Sequence, residues 1–209
     1  RIRCVEHMCP DEPYRLFSGG RIEDLAGIDP QVLEAEYAAL LRDGQMDMFV
    51  VGDVNPEAVA EELRAVLPFD GHNAKTPAVE SSGQAPATPR VITEHAEVNQ
   101  GQLVMGLRAP VRYDDPGYYA MMMYNGVLGG FAHSKLFMNV RERESLAYSA
   151  RSRYDAHKGM LFVQAGIDIQ NHDRAVAVIN EQIAAIQAGE ISDQELDQTR
   201  AMLINTYRE

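Results

Sequence analysis

The sequence GGFAHSKLFMNVRERESLAYS, residues 129–149, is the most informative stretch of this chain. It begins with a Gly-Gly turn, continues as a short helix that ends at Arg141, and leads into a strand that opens at Tyr148. A helix end followed closely by a strand start allows a guanidinium group and a phenol to converge. This stretch therefore indicates one half of an active site, and the remaining catalytic groups have to be sought elsewhere.

Composition restricts the classes of function. The chain has 209 residues, of which 45% are hydrophobic and 24% are charged, enough for one sizeable core or two small ones. Its 19 Lys and Arg against 31 Asp and Glu give a formal net charge of -12, which repels phosphate backbones and anionic lipids. We therefore expect neither a nucleic-acid partner nor a membrane partner.

The chain begins at Arg1 and stops at Glu209 within a helical pattern, so we expect it to be a piece of a longer protein. Its two cysteines, Cys4 and Cys9, are too few for a disulfide framework. This favours a reducing compartment, and we expect a cytoplasmic location.

The first third of the chain, residues 1–69, reads as the C-terminal end of a preceding lobe. Asp29-Pro30 and Asn55-Pro56 are both N-cap signals with proline at the first helical position. Between these two helices, residues 46–54 form an apolar run typical of a strand covered on both faces. Because such a strand needs a sheet, we expect it to dock on the truncated second lobe or on another copy of the chain.

Residues 70–89 are rich in Pro, Gly, Ser and Ala and are interpreted as a linker. The second lobe, residues 90–209, is truncated at its C-terminus. It begins with two predicted strands, residues 91–98 and 102–108, and a helix that opens at Asp115-Pro116.

A strand pair and two helices follow. Residues 146–154 and 160–167 are predicted to pair antiparallel, with Leu161, Val163, Ala165 and Ile167 on one face. One apolar helix comes next, and a capping box of Ser192 and Glu195 opens the last helix. Grouped strands and helices predict an α+β fold, an antiparallel sheet with helices packed on one face.

The chain contains no zinc-peptidase motif. Such a site needs H-E-x-x-H or its inversion H-x-x-E-H, so that two imidazoles share one helix face. The Glu-His pairs at residues 6–7 and 94–95 would need histidine at positions 3 and 91, which hold Arg3 and Val91. Cys4, His7 and Cys9 lack a fourth ligand and are interpreted as a helix-end cluster. We therefore expect no metal in this segment.

Other catalytic motifs are also absent. The sequence has no G-x-S-x-G elbow, P-loop or G-x-G-x-x-G fingerprint. His133 and Ser134 are adjacent, but a helix N-cap is the commoner role for Ser134. The methionines at positions 121–123 and Tyr124 point around a helix and are interpreted as core packing.

Residues 128–150 resemble the signature of the pitrilysin and insulinase family of inverted-motif zinc metallopeptidases, which includes mitochondrial processing peptidase. The family form is a glycine-rich turn, then SRLF, then LRE, two further residues and GLAYS. The matching residues are Ser134, Leu136, Phe137, Arg141, Glu142, Leu146, Ala147, Tyr148 and Ser149. Residues 49–57 resemble the family's lobe-closing strand, and the resemblance covers nearly the whole chain. Two positions depart from the form, because Ser145 replaces glycine and Lys135 replaces arginine.

The resemblance implies a division of labour between two lobes. One lobe carries the zinc helix, and the other supplies an arginine and a tyrosine that face the zinc across a closed chamber. Arg141 and Tyr148 fall on those positions, with Gly129, Gly130 and Ser134 as implied substrate-binding residues. Zinc would then be held by another lobe or by a homologous partner subunit, and a peptide would be the substrate.

Two functions stay open. This chain is either a non-catalytic domain or subunit that helps a zinc metallopeptidase bind its substrate, or a scaffold of the same fold with no role in proteolysis. Without the resemblance, Arg141 reads as a surface residue paired with Glu142 or Glu144, and Tyr148 as half-buried strand packing.

Overall fold

A computed structural model describes residues 1–67, 83, 85–86 and 88–208. The chain divides into two compact units, the first made of Arg1–Leu16 and Ser82–Glu209, the second of Phe17–Ser81. The α-helices are α1 (Ile2–Met8), α2 (Pro30–Asp43), α3 (Pro56–Val66), α4 (Tyr118–Asn125), α5 (His172–Gln187) and α6 (Asp193–Arg208). The strands are β1 (Gly101–Arg108), β2 (Ala147–Asp155) and β3 (Met160–Ile167).

The first unit is built on an antiparallel sheet of three strands in the order β1-β3-β2. β2 and β3 form the predicted pair, joined by a turn in which Gly159 has φ 58°. β1 pairs with the other side of β3 from Gly101 opposite Ile167 to Arg108 opposite Met160. The prediction for residues 102–108 is thus confirmed, and so is the α+β class.

The central strand β3 is buried on both faces, and its sequence, MLFVQAGI, is apolar almost throughout. Leu161, Val163, Ala165 and Ile167 all join the main core, as predicted. Their neighbours Met160 and Phe162 lie on the opposite face, where they pack with Val5 and Cys9 of the N-terminal segment.

Helices therefore do not all lie on one face of the sheet. α5 buries Ala175, Val178, Ile179, Ile183 and Ile186 in the main core. Two π-helical segments, Gly126–Gly130 and Leu136–Arg143, contact β2 on the same side. The short helix α1 is the exception, because it covers the face that carries Phe162. This also differs from the predicted boundary, which assigns residues 1–69 to a preceding lobe, since Arg1–Leu16 pack with the sheet.

Three of the predicted helix caps are confirmed, whereas the helix predicted to open at Asp115-Pro116 begins at Tyr118, after Gly117. In the second unit, the Asp29 carboxylate accepts a hydrogen bond from the Val32 amide at the start of α2, and Asn55 accepts one from Ala58 at the start of α3. In the first unit, Ser192 and Glu195 form the reciprocal bonds of a capping box.

Two predicted strands are wrong. Residues 46–54 have no strand assignment, and Phe49 and Val51 are 88% and 99% exposed. Residues 91–98 are likewise irregular, with Val91 and Val98 exposed. A strand is stable only when a neighbour pairs its backbone, and neither segment pairs with a described strand. The predicted linker, residues 70–89, falls mostly outside the described residues.

The remaining short elements are 3₁₀ turns at Pro13–Arg15, Ile22–Gly27 and Ile169–Asn171. Among the described residues, no helix combines the length and the apolar character needed to cross a membrane.

Candidate functional site

Arg141 and Tyr148 line one open cavity of about 420 Å³ on the first unit. The wall is completed by residues from the same turn and from the start of the 3₁₀ turn after β3: Glu142, Ser145, Leu146, Ala147, Asp168 and Asn171. The guanidinium group and the phenol that the sequence places seven residues apart thus border the same space. The cavity opens to solvent, so an extended ligand can reach both groups.

A β-bulge sets the direction of Tyr148. Ala147 pairs with Ile167 and Ser149 pairs with Gly166, so Tyr148 is one extra residue on β2. Ala150 and Ser152 are buried, and strict alternation would turn Tyr148 toward the core with them. Because of the bulge, Tyr148 is instead 69% exposed. Its hydroxyl makes no hydrogen bond to any described residue, which leaves it available to a ligand.

The turn that joins Arg141 to β2 is strained at one residue. Ser145 has φ 52°, in the left-handed region that glycine occupies most readily. It follows the end of the π-helix, where the Leu146 amide donates to the Val140 carbonyl at 3.0 Å. Glycine is usual at such a helix end, so the serine carries a conformational cost here. Ser145 therefore adopts the backbone conformation that the glycine of the family form would favour.

Arg141 has two local contacts and is 42% exposed. Its Nε lies 3.6 Å from the Glu142 carboxylate, and its guanidinium carbon lies 4.5 Å from the centre of the Phe137 ring. Such exposed ion pairs contribute little to stability. The Phe137 ring contacts the guanidinium group of Arg141 without using the N–H donors of that group. These donors therefore remain able to bind a ligand.

The three predicted substrate-binding residues are separated from this cavity. Gly129 and Ser134 are buried, and Gly130 is exposed but borders a different cavity, of about 280 Å³, lined mainly by aromatic and apolar residues. A Cβ on Gly129 would collide with the backbone nitrogen of Ser152, so this glycine permits the helical segment to approach β2. Their role in substrate binding remains a prediction, and for Gly129 packing explains the residue.

Ser134 is not the side-chain cap that the sequence predicts. Its backbone carbonyl accepts from Met138, but its buried Oγ has no hydrogen-bond partner among the described residues. The neighbouring His133 bonds through Nε2 to the buried Thr199 Oγ1 at 3.0 Å. His133 and Ser134 therefore form no catalytic pair.

Lys135, where the family form has arginine, forms an ion pair within the fold. Its ammonium group lies 2.9 Å from the Glu195 carboxylate, and both side chains are mostly buried. Burial alone would raise the pKa of Glu195, but hydrogen bonds from Lys135 and Ser192 together lower it. The ion pair ties the π-helix segment to the capping box of α6.

A second arginine is buried on the other side of the sheet and was missed by sequence reasoning. Arg108 ends β1 and donates to the Glu12 carboxylate from both terminal nitrogens, with one contact at 3.1 Å. It also donates to the Met8 carbonyl at 3.2 Å. The Arg108 hydrogen bond lowers the pKa of Glu12. The two residues are 96 positions apart, so no local pattern signals the pair.

The part of the chain that the structure describes has no set of side chains suited to zinc. Among the described residues, no group of three or more His, Cys, Asp or Glu side chains is placed to hold a metal ion. The cavity beside Tyr148 contains carboxylates but neither imidazole nor thiolate. Cys9 is fully buried, and that burial raises the pKa of its thiol to about 11, which disfavours the thiolate that binds zinc.

Two known proteins resemble nearly the whole chain, and a third resembles about half of it. The probable inactive metalloprotease YmfF of Bacillus subtilis (strain 168) is 36% identical over 209 residues, which are 100% of this chain and 49% of that protein. The crystal structure of a conserved protein from Enterococcus faecalis V583 superposes with a TM-score of 0.91 at 34% identity, over 99% of this chain and 48% of that one. The uncharacterized zinc protease YmxG of B. subtilis is 28% identical over 114 residues, 54% of this chain and 28% of that protein.

The chain therefore spans about half the length of YmfF. Residues 27–203 match the family model described as Peptidase M16 inactive domain. This match covers most of the chain and includes both Arg141 and Tyr148. The chain belongs to the peptidase M16 inactive-domain family.

Proposed function

We propose that this chain is the non-catalytic, substrate-side domain of a zinc metallopeptidase, with Arg141 and Tyr148 as its contacts to the peptide. The main observation behind this proposal is the bulge in β2. It turns a tyrosine that would otherwise pack in the core toward a cavity that Arg141 also lines. A bulge that re-aims a side chain next to a cleft is a common feature of functional sites.

The chemistry of the two groups suits peptide hydrolysis. A phenol can donate a hydrogen bond to the oxygen on which negative charge develops when the peptide carbonyl is attacked. A guanidinium group can hold a substrate carbonyl oxygen with a fixed fork of donors. Both roles use hydrogen-bond donors that the two side chains carry.

The zinc and the general base belong to a different lobe or subunit in this proposal. The described residues do not fit a zinc ion, whereas one relative is named a probable inactive metalloprotease and another an uncharacterized zinc protease. YmfF is about twice as long as this chain, which leaves room for a second lobe. We propose a zinc-bearing lobe or homologous subunit as the partner and a peptide as the substrate. The purified chain alone should then hydrolyse no peptide.

Replacing Arg141 by lysine tests the proposal. Arg141→Lys keeps the charge but removes the bidentate fork, so kcat/KM of the assembled enzyme should fall about 10- to 100-fold, the loss expected for a hydrogen bond to a charged group. Arg143→Lys is a matched control, because Arg143 is exposed, two positions away and outside the cavity lining. Equal kcat/KM values for the two variants would contradict the role of Arg141.

A scaffold without proteolytic activity is the second candidate function. The contacts of Arg141 with Glu142 and Phe137 favour it, since they engage the arginine without any substrate. The sequence encoded upstream or by the neighbouring gene separates the two functions. If neither encodes H-x-x-E-H, the proteolytic proposal fails and the scaffold remains.

A further inference from the structure

The exposed face of β2 carries two arginines beyond the cavity. Ala150 and Ser152 are buried, whereas Ser149, Arg151 and Arg153 are exposed, so the two arginines share one face of the strand, the face on which α1 packs against Phe162 of β3. Neither arginine has an ion pair or a hydrogen bond to a described residue. Two uncompensated positive charges therefore lie side by side on a chain whose formal net charge is -12.

The residues opposite the two arginines do not neutralise them. In the sheet register, Arg151 lies opposite Gln164 and Arg153 lies opposite Phe162 of β3. One partner is an amide and the other is an aromatic ring, and neither carries a negative charge. Asp155, two positions beyond Arg153 on the same strand face, accepts a hydrogen bond from the Tyr14 hydroxyl and makes no ion pair with Arg153, so both exposed guanidinium groups remain open to a ligand.

The same bulge that exposes Tyr148 aligns it with these arginines. After the bulge, Tyr148, Ser149, Arg151 and Arg153 all lie on the exposed side of the strand. At about 3.3 Å per residue, Arg151 lies about 10 Å along the strand from Tyr148, and Arg153 lies about 7 Å further. A peptide that extends from the cavity along β2 reaches both arginines within about five residues.

β2 also has an open edge. It is the last strand of the order β1-β3-β2, and no described strand pairs with its other side. An extended peptide can add to such an edge through main-chain hydrogen bonds, with every second side chain on the face of the arginines. Opposite charges on neighbouring strands stabilise this kind of pairing.

We propose that this edge of β2 binds an extended acidic segment of the substrate peptide, with two carboxylates in an Asp-x-Asp or Glu-x-Glu spacing facing Arg151 and Arg153. The inference rests on the proposed function for the position of the scissile bond near Tyr148. It adds the substrate class, which is peptides that carry acidic residues a few positions from the cleaved bond.

Peptide binding to the full-length protein that contains this chain tests the inference. The probes are three labelled ten-residue peptides that differ only at the test positions: Asp-x-Asp, Asn-x-Asn, and two adjacent Asp residues. At low salt, Asp-x-Asp should bind about 3- to 10-fold more tightly than Asn-x-Asn, as two exposed ion pairs allow. The preference should shrink at high salt, because exposed charges are screened.

Two double variants separate local contacts from overall charge. Arg151→Gln with Arg153→Gln should abolish the preference for Asp-x-Asp. Arg64→Gln with Arg200→Gln removes the same charge from exposed positions on α3 and α6 and should keep the preference. Equal loss in both double variants, equal binding of the Asp-x-Asp and Asn-x-Asn peptides, or equal binding of the adjacent-Asp peptide would overturn the proposal.

The arginines could instead protect an open edge from aggregation, which charged residues often do. In that case the Arg151 and Arg153 double variant would self-associate in light scattering yet keep the same peptide preference, and the proposal would be wrong. Binding is measured without turnover, so the two proposals fail separately. If Tyr148→Phe leaves turnover unchanged while the Asp-x-Asp preference persists, the proposed function fails and acidic-peptide binding stands.

Discussion

Arg108 and Arg141 both lie at or near the end of a structural element in the same unit, yet their surroundings are opposite. The Arg108 side chain is 9% exposed, and its terminal nitrogens bind Glu12 and the Met8 carbonyl. Arg141 borders an open cavity and has one exposed carboxylate at 3.6 Å. Arg108 is thus fixed by the protein, whereas Arg141 keeps its donors for a ligand. The difference shows that burial and partners, rather than residue type, separate a structural arginine from a candidate binding residue.

Removing each guanidinium group in turn should give the largest difference in stability between the two arginines. Arg108→Met removes the main partner of the half-buried Glu12 carboxylate, so the free energy of unfolding should fall by about 1–3 kcal/mol. Arg141→Met removes only exposed contacts and should change it by less than about 0.5 kcal/mol. Urea unfolding of both variants measures the difference. Similar losses would mean that Arg141 is also structural.

A methyl group added at Gly129 should test how closely the helical segment packs against β2. Its Cβ would meet the Ser152 backbone nitrogen, and would lie 2.8 Å from Leu136 Cδ1. Gly129→Ala should therefore lower the free energy of unfolding by about 1–3 kcal/mol. Gly130→Ala is the matched control, because its nearest atom would be the Asn125 carbonyl oxygen at 3.2 Å, and a smaller loss is expected. The same loss in both variants would contradict the close approach to β2.

The half-buried Arg108–Glu12 pair should also make the free energy of unfolding depend on pH. Because the Arg108 hydrogen bond lowers the pKa of Glu12 in the folded state, its stabilising effect is present above the unfolded pKa of about 4.3 and is lost as pH falls through the lower folded pKa. The difference in unfolding free energy between the wild type and Glu12→Gln should therefore shrink from pH 7 toward pH 3. A constant difference across this range would contradict the pairing.

The turn before Tyr148 should gain stability from glycine. Ser145→Gly relieves a residue with φ 52° and should raise the free energy of unfolding by up to about 1 kcal/mol. Ser149→Gly is the control, since Ser149 lies in the extended strand and glycine should weaken it. The thermal midpoint of each variant measures the effect. A lower midpoint for Ser145→Gly would show that the serine side chain makes a contact of its own.

Local periodicity predicted those parts of the fold that depend on nearby residues. Alternation predicted the β2–β3 pair and the buried face from Leu161 to Ile167, and the cap signals at Asp29, Asn55 and Ser192 predicted three helix starts. Residues 46–54 and 91–98 have the same apolar character, but they are not strands here. A strand depends on its neighbour, and a neighbour is not visible in a local pattern.

The candidate site was predicted less completely than the fold. The sequence singled out Arg141 and Tyr148, and the structure places them around one cavity. Simple alternation from Ala150 back along β2 would have buried Tyr148, and only the register against β3 shows the bulge that exposes it. The contact between α1 and Phe162 and the Arg108–Glu12 pair were missed because they join distant parts of the chain.

The turnover of Tyr148→Phe in the zinc-loaded assembled enzyme tests the central claim most directly. Losing one donor to a developing oxyanion should lower kcat by about 100- to 1,000-fold, with the thermal midpoint unchanged, because the hydroxyl has no partner among the described residues. Tyr113→Phe is the matched control, since Tyr113 is also exposed and lies outside the cavity lining. Unchanged turnover in Tyr148→Phe would show that the hydroxyl is not needed for catalysis and would contradict the proposed role of Tyr148.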